Sequence, residues 1–225
     1  MKNQQSIDRT TARAEVLDRI YVLHEETVAD LKFACGPGCA TCCTRSVTMT
    51  TLEGRVILHH LAEGGRSLPP FPVDHHPLRP ACTTNQLAKY YLAGKEPPHE
   101  QESPWVFEPC PFLAAGLCSI YPVRPFACRS FGSLVRCDQG GCAEVPDWLI
   151  DLNIATSQII EHYDAGGSWG NLVDILKFLS TPDRLSSDLL LKNQALAGFL
   201  LADSENETAH HFLHAVQSIV PMSME

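Results

Sequence analysis

The most constraining segment of this chain reads Cys35-Gly-Pro-Gly-Cys39-Ala-Thr-Cys42-Cys43. A second group of cysteines follows later, at Cys110, Cys118 and Cys128. Seven of the ten cysteines therefore fall into two short segments. Thiols this close in sequence can converge on one soft metal ion or on an iron–sulfur cluster at little cost in loop-closure entropy. The pattern predicts a metal–thiolate site to which both groups contribute.

The alternative interpretation of so many cysteines is a disulfide framework, which requires an oxidising compartment. The N-terminal residues from Met1 to Ser6 lead into no apolar stretch of the kind found in a secretory signal peptide. Cysteines that stay in a reducing compartment remain thiols, so metal ligation is favoured over disulfide bonding. We therefore expect a cytoplasmic protein.

Composition and charge indicate one globular domain spanning residues 1–225. Apolar residues make up 44% of the chain and charged residues 19%, which is enough apolar surface for a substantial core. The longest apolar runs are far too short to span a bilayer, so no membrane partner is expected. The net charge of −9, without a cluster of Lys or Arg, disfavours a nucleic-acid partner. The expected partner is a metal ion or cluster, with a protein partner or substrate left open.

Helical periodicity dominates on both sides of a cysteine-rich region, residues 35–142. Apolar residues recur every three or four positions from about 8 to 34, which predicts an amphipathic helix that ends at Gly36-Pro37-Gly38. The C-terminal part, residues 146–220, is also predicted to be helical. Its apolar stripes predict helices near 148–160, 172–179 and 205–220, with one more starting at Thr181-Pro182. The glycine-rich stretch 166–170 is interpreted as a helix stop with a new helix start at Ser168.

Within the cysteine-rich region the predicted elements are short. Residues 46–50 alternate like a strand, and Thr50 with Glu53 matches a capping box that opens a helix to about residue 61. A proline-rich loop over 64–82 precedes a second short helix at 84–93.

Around the second cysteine group, apolar residues on either side of a glycine turn predict a small β-hairpin between 112 and 121. The combined expectation is a mainly α fold. It consists of a helical domain and a cysteine-rich metal-binding cap that contains the hairpin.

The cysteine motifs combine into one pattern: Cys35-x3-Cys39-x2-Cys42-Cys43, Cys110-Pro-Phe-Leu113, Cys118-Ser-Ile-Tyr121 and Arg124-Pro125-x2-Cys128-Arg129. From Cys35 to Phe131 this pattern resembles the YkgJ-type cysteine-cluster family, a zinc- or iron-chelating domain. The family often has two residues between its first two cysteines, where this chain has three, and an acidic residue where this chain has Ala114. Neither difference removes a ligand. The resemblance implies a metal or iron–sulfur site but no settled reaction; a related pattern accompanies flagellin lysine methylation in larger proteins.

The choice between iron–sulfur and zinc depends on ligand number. A four-iron cluster and a structural zinc ion each take four thiolates, fewer than the candidate pool of Cys35, Cys39, Cys42, Cys43, Cys110, Cys118 and Cys128. Adjacent residues point apart, so Cys42 and Cys43 are not expected to bind the same ion. An iron–sulfur cluster of the 4Fe-4S type is favoured, because the first loop offers three thiolates with glycine amides between them and the second group offers the fourth. Zinc alone is the alternative, and the roles of Cys82, Cys137 and Cys142 stay open.

The expected function is that of a metal-binding protein with a redox, modification or accessory role. One alternative is a structural or labile zinc module that binds partners or delivers metal. Another is an S-adenosylmethionine-dependent iron–sulfur enzyme, since Cys35, Cys39 and Cys42 have the spacing of such enzymes. Thr41 stands where those enzymes usually have an aromatic residue, and the chain shows few strands for their barrel. No catalytic residue is assigned, and whether the protein is an enzyme is left open.

Residues beside Cys128 have two interpretations each. In one interpretation Arg124 and Arg129 offset thiolate charge or bind an anionic ligand. In the other they fix the turn through an ordinary salt bridge. Tyr121 is interpreted as a core residue of the hairpin rather than as a donor to sulfur.

Overall fold

The computed structural model describes residues 2–71, 80–99, 108–137, 142–181, 189–201 and 207–220. The helices in these ranges are α1 Lys2–Thr27, α2 Thr51–Glu63, α3 Thr84–Leu92, α4 Phe126–Ser130, α5 Asp147–Tyr163, α6 Leu172–Ser180 and α7 Glu207–Gln217. The strands are β1 Thr48–Thr50, β2 Leu113–Ala114, β3 Leu117–Cys118, β4 Ser168–Asn171 and β5 Leu191–Lys192, and a 3₁₀ turn spans Tyr121–Val123. The fold is mainly α, as the sequence predicts.

The first hydrophobic core lies between α1, α5 and α7. Its fully buried side chains follow the three- and four-residue spacing of amphipathic helices: Leu17 and Ile20 of α1, Leu152 and Ile159 of α5, and Phe212 and Val216 of α7. Helix α1 ends at Thr27, seven residues before its predicted end. The β-branched pair Thr27 and Val28 favours this early end, and the chain then reaches the first cysteine loop without helical structure.

The second hydrophobic core lies beneath the second cysteine group. It is built from β1, α2, α6 and the region around the hairpin, with Met49, Ile57, Phe112, Ile120 and Ile175 among its buried members. Helix α2 joins the two cores, because Leu52 belongs to the first and Ile57 to the second. The second cysteine group therefore rests on a packed support rather than on a loop alone.

A three-stranded antiparallel sheet borders the second core, in the order β1-β4-β5. Its central strand, β4, pairs with β1, where Trp169 lies opposite Thr50, and with β5, where Ser168 lies opposite Lys192. The prediction that a helix starts at Ser168 is wrong: helix α6 begins at Leu172, and the Asn171 side chain caps it by accepting from the Val173 amide at 3.0 Å. A strand of four residues is too short for a period-two pattern, and only its pairing with β1 and β5 makes it recognisable.

The capping box at the start of α2 is confirmed. The Glu53 amide donates to Thr50 Oγ1, and the Thr50 amide donates to Glu53 Oε2 at 2.7 Å. Both donors at the helix N-terminus are thereby satisfied, and β1 runs into α2 without a loop. The predicted helices near 84–93, 148–160, 172–179 and 205–220 correspond to α3, α5, α6 and α7.

The segment 193–201 has no regular secondary structure, although its backbone is well bonded. Side chains of α5 accept from its amides: Glu161 from Gln194 at 2.8 Å, His162 from Leu196 at 3.2 Å, and Gln158 from Leu200 at 2.9 Å. These side-chain hydrogen bonds replace the backbone hydrogen bonds that a helix or sheet would supply. The helix start predicted at Thr181-Pro182 falls at residues 182–188, outside the described residues.

Asp164, at the end of α5, is a fully buried centre of hydrogen bonds. Its carboxylate accepts from the Thr51 hydroxyl at 2.7 Å, the Leu52 amide at 3.0 Å and the Asn193 side chain at 3.0 Å. Arg13 of α1 donates to the other carboxylate oxygen at 2.9 Å. One side chain thus ties α1, the start of α2, the end of α5 and the segment after β5 together.

His24 on α1 gives the fold a pH dependence that can be tested. Burial lowers the pKa of His24, and Arg129 acts in the same direction, while the bond to Asn153 and the charge of Glu25 oppose it. A lowered folded-state pKa favours the neutral ring, so this contribution is present above about pH 6.5 and is lost as the pH falls through the folded-state pKa. We expect the free energy of unfolding to decrease from about pH 7.5 to about pH 5.5, measured by urea titration.

The control compares two histidine variants. His24→Gln should flatten this pH dependence, whereas His214→Gln, on the exposed face of α7, should leave it unchanged. An equal slope in wild type and His24→Gln would show that His24 is not the group responsible.

Candidate metal centre

The first cysteine group lies on a loop of consecutive tight turns. The Cys39 amide donates to the Gly36 carbonyl at 2.9 Å, and the Cys43 amide donates to the Ala40 carbonyl at 3.0 Å. Gly38 has a φ of +84°, a conformation that favours glycine. Within this loop the side chains of Cys35 and Cys42 are exposed, while Cys39 and Cys43 are half-buried.

The second cysteine group is held by regular elements. The predicted hairpin is present but shorter than expected: β2 and β3 pair Leu113 with Cys118, so this cysteine lies in the hairpin itself. Cys128 lies on α4, and Cys110 directly precedes the turn into β2. All three cysteines pack against the second hydrophobic core.

The structure brings the two groups together through the backbone. The Cys110 amide donates to the Cys43 carbonyl at 2.9 Å, and an antiparallel bridge joins Thr44 to Pro109 next to it. The adjacent residues add a bond from the Arg45 amide to the Glu108 carbonyl and an ion pair between their side chains. Segments that are far apart in sequence therefore run side by side at the cysteines.

Burial, followed by the charge of other thiolates, raises the pKa values of thiols in both cysteine groups. Burial raises the pKa of Cys128 far above its usual range, and the charges of Cys110, Cys118 and Cys43 raise it further. Burial also raises the pKa of Cys43, followed by the charges of Cys118 and Cys110. A like charge nearby disfavours the thiolate form and so raises the pKa of a thiol.

Cys42 shows the same behaviour within the first loop. Although the residue is exposed, partial burial of its thiol raises the pKa of Cys42 to about 11, with further contributions from the charges of Cys43, Cys35 and Cys39. Every one of the seven candidate thiols thus takes part in at least one such interaction. Deprotonating several of them together is unfavourable unless a cation compensates their charge.

The described residues do not show the predicted cysteine-rich metal-binding cap as a formed metal site. Within the described ranges, no group of three or more His, Cys, Asp or Glu side chains is arranged so that it could hold a metal ion. All ten cysteines, which lie within those ranges, are free thiols. Soft thiol donors fit a soft metal chemically, but their sulfurs would have to move closer together to ligate one.

The remaining cysteines lie elsewhere on the surface. Cys82 precedes α3 and lines an open groove of about 560 Å³ together with Trp169, Glu96 and His99. The thiol of Cys137 makes a long contact of 3.9 Å to the Val135 carbonyl, and Cys142 is exposed.

Arg129 holds the turn that precedes Cys128. It donates to the Pro122 carbonyl at 2.6 Å, to the Arg124 carbonyl at 3.0 Å and to the Glu25 carboxylate at 2.7 Å. These contacts support the interpretation of Arg129 as an ordinary salt bridge that fixes the turn.

The interpretation of Tyr121 as a core residue of the hairpin is wrong, because the residue is 60% exposed. Its ring packs against the guanidinium of Arg124 instead of a hairpin core.

Glu53 positions α4, a role that sequence reasoning missed. Besides capping α2, its Oε1 atom accepts from the Phe126 amide at 2.7 Å and from the Tyr21 hydroxyl at 2.9 Å. The carboxylate is buried, and burial raises its pKa while these hydrogen bonds lower it. The capping-box pattern identifies the residue, but nothing in the local sequence indicates that its second oxygen reaches the helix that carries Cys128.

Two further findings bear on function. No protein-family model, curated protein or solved structure matches the chain. Among the described helices, none is long and apolar enough to cross a membrane.

Proposed function

We propose that this is a metal-binding protein of the YkgJ type that holds an iron–sulfur cluster through cysteine thiolates and has a redox or accessory role. The observation that carries the proposal is the backbone contact between Cys110 and Cys43, which unites the two cysteine groups. The ligand pool is the seven thiols Cys35, Cys39, Cys42, Cys43, Cys110, Cys118 and Cys128.

The electrostatics of the thiols support metal binding. Burial and like charge keep the pKa values of Cys42, Cys43, Cys110 and Cys128 raised, so their thiolates are disfavoured without a cation. A soft metal cation would bind the thiolates, compensate their charge and release the thiol protons. Loss of metal should therefore become easier as the pH falls, because protons compete with the metal for sulfur.

The choice of iron–sulfur over zinc alone is supported by the first loop. The seven thiols exceed the four that a structural zinc ion or a four-iron cluster requires, so their number does not decide between the two. The first loop contains glycine turns, and backbone amides in such turns can donate to thiolates and stabilise the charge of a cluster. When bound, an iron–sulfur cluster supplies one-electron transfer or an open iron position.

Two alternatives remain within the proposal. A zinc module with structural or metal-delivery function would use the same ligands. An S-adenosylmethionine-dependent enzyme is less well supported, because the described strands form only antiparallel sheets of three and two strands and not the repeated strand–helix units of that class.

Anaerobic purification followed by iron, zinc and acid-labile sulfide analysis tests the function. We expect brown protein with broad visible absorbance that dithionite or air bleaches. Serine at Cys110, Cys118 and Cys128 together should abolish the bound metal, whereas Cys82→Ser, outside the ligand pool, should retain it. Colourless protein with stoichiometric zinc and no sulfide would favour the zinc alternative. Wild-type protein without any metal would overturn the proposal.

A further inference from the structure

We propose that Cys43 and Cys110 are a redox-active pair that forms a reversible disulfide bond when the protein meets a peroxide. The two residues are far apart in the sequence, and the bond joins the first cysteine loop to the segment that leads into the hairpin. This modification site goes beyond the proposed function, because the disulfide needs no metal.

The backbone places these two cysteines opposite each other. An antiparallel bridge joins Thr44 to Pro109, and Cys43 and Cys110 are the next residues outward from it on the two segments. The Cys110 amide donates to the Cys43 carbonyl at 2.9 Å, and an equivalent hydrogen bond flanks the bridge on its other side. Because a hydrogen bond lies on each side of the bridge, the register of the two segments is fixed.

The spacing of opposite residues in an antiparallel pair fits a disulfide bond. Residues opposite each other in a hydrogen-bonded pair have Cα atoms about 5.5 Å apart and side chains on the same face. Disulfide bonds join Cα atoms about 4.4–6.8 Å apart, most often about 5.5–6 Å. The two sulfurs can therefore meet by side-chain rotation, without movement of the backbone. Both residues are half-buried free thiols, so a small oxidant can reach them.

Neighbouring cysteines of the two groups have no such partner. In the register of the bridge, Pro111 stands where a partner of Cys42 would be. Cys118 lies opposite Leu113 in the hairpin, and Cys128 lies on helix α4. Among the strand and bridge pairs of the described residues, no other two cysteines lie opposite each other. The backbone thus selects one pair from the seven thiols.

The oxidation balances with hydrogen peroxide as the oxidant. One thiol attacks the peroxide, the O–O bond breaks, and a sulfenic acid and one water form. The second thiol attacks the sulfenic sulfur, the S–S bond forms, and a second water leaves with the remaining thiol proton. The two sulfurs together lose the two electrons that the peroxide gains. A thiol reductant cleaves the disulfide again, whereas a sulfenic acid without a partner thiol can proceed to irreversible sulfinic acid.

The test oxidises full-length protein with one equivalent of hydrogen peroxide, after a chelator has removed any metal that would protect the thiols. Free thiols are then alkylated, and the protein is digested with trypsin without reduction. We expect a cross-link between peptides 33–45 and 96–129 that dithiothreitol cleaves and that tandem mass spectrometry assigns to Cys43 and Cys110. The oxidised protein should also unfold at a higher temperature than the reduced protein, because the bond constrains the unfolded chain.

Serine variants of thiols in the same two peptides are the matched controls. Cys43→Ser and Cys110→Ser should lose the cross-link, whereas Cys42→Ser and Cys118→Ser should keep it. The disulfide pair is overturned if wild type forms no reversible cross-link or forms it between other cysteines, if Cys43→Ser retains it, if Cys42→Ser loses it, or if oxidation lowers the unfolding temperature. The assignment in wild type needs no variant, so it stands even where a variant misfolds. Metal analysis of the anaerobically purified protein tests the proposed function separately.

Discussion

Glu53→Ala should lower the free energy of unfolding by about 3–5 kcal/mol, because four donors in the interior lose their acceptor together. The Thr50 amide and hydroxyl bond to one carboxylate oxygen, and the Tyr21 hydroxyl and Phe126 amide bond to the other. None of these donors can reach water without local rearrangement, since the carboxylate is 4% exposed. Urea or thermal unfolding of the purified variant measures the loss.

The matched control is Glu63→Ala, which removes an exposed carboxylate from the same helix. It should change stability by less than about 0.5 kcal/mol. Glu53→Gln should fall between the two, because an amide retains one acceptor oxygen but directs an NH₂ group toward donors. Since Glu53 also positions α4, we expect Glu53→Ala to retain less metal than Glu63→Ala. Equal stability of the two alanine variants would show that the Glu53 bonds contribute little.

Gly167→Ala should destabilise the fold by about 3–5 kcal/mol, because the added methyl group would enter the hydrogen-bond centre around Asp164. A Cβ atom at this position would lie 2.3 Å from the Asp164 carboxylate and 2.4 Å from the Thr51 hydroxyl. Both groups are buried and already bonded, so neither can move aside without breaking its bonds. The Ser168 amide, which donates to Thr51 at 3.0 Å, would be displaced as well.

Gly36→Ala is the control for this substitution. A Cβ atom there meets nothing within 4 Å, so stability should change by less than about 1 kcal/mol. Thermal unfolding of both variants, with far-ultraviolet circular dichroism of the folded state, separates loss of stability from loss of structure. A Gly167→Ala protein as stable as Gly36→Ala would mean that the Asp164 centre can rearrange at low cost.

The sequence predicts the elements whose cause is local. Thr50 and Glu53 indicate the start of α2 because both capping bonds form within one turn. The glycine turn at residue 116 likewise indicates the hairpin. Strand β4 was not predictable in this way, since Ser168–Asn171 is a strand only by pairing with segments far away in the chain. Segment 193–201 was missed for the same reason, because its bonding partners lie on α5.

The candidate site, too, could be predicted only in part from the sequence. The two cysteine groups could be identified from spacing, and the prediction that they lie together agrees with the contact between Cys110 and Cys43. Which thiol neighbours which could not be predicted, because that depends on how the hairpin and α4 pack on the second core. Arg129 shows the same limit: its position beside Cys128 is visible in the sequence, but its partner Glu25 lies 104 positions away.

The bonding of segment 193–201 has a consequence for protein engineering. A stretch without helix or strand is the usual choice for inserting an epitope tag or for circular permutation. Here an insertion would separate the Gln194 and Leu200 amides from their acceptors Glu161 and Gln158 on α5. An insertion in segment 193–201 should therefore cost stability, although the segment contains neither helix nor strand.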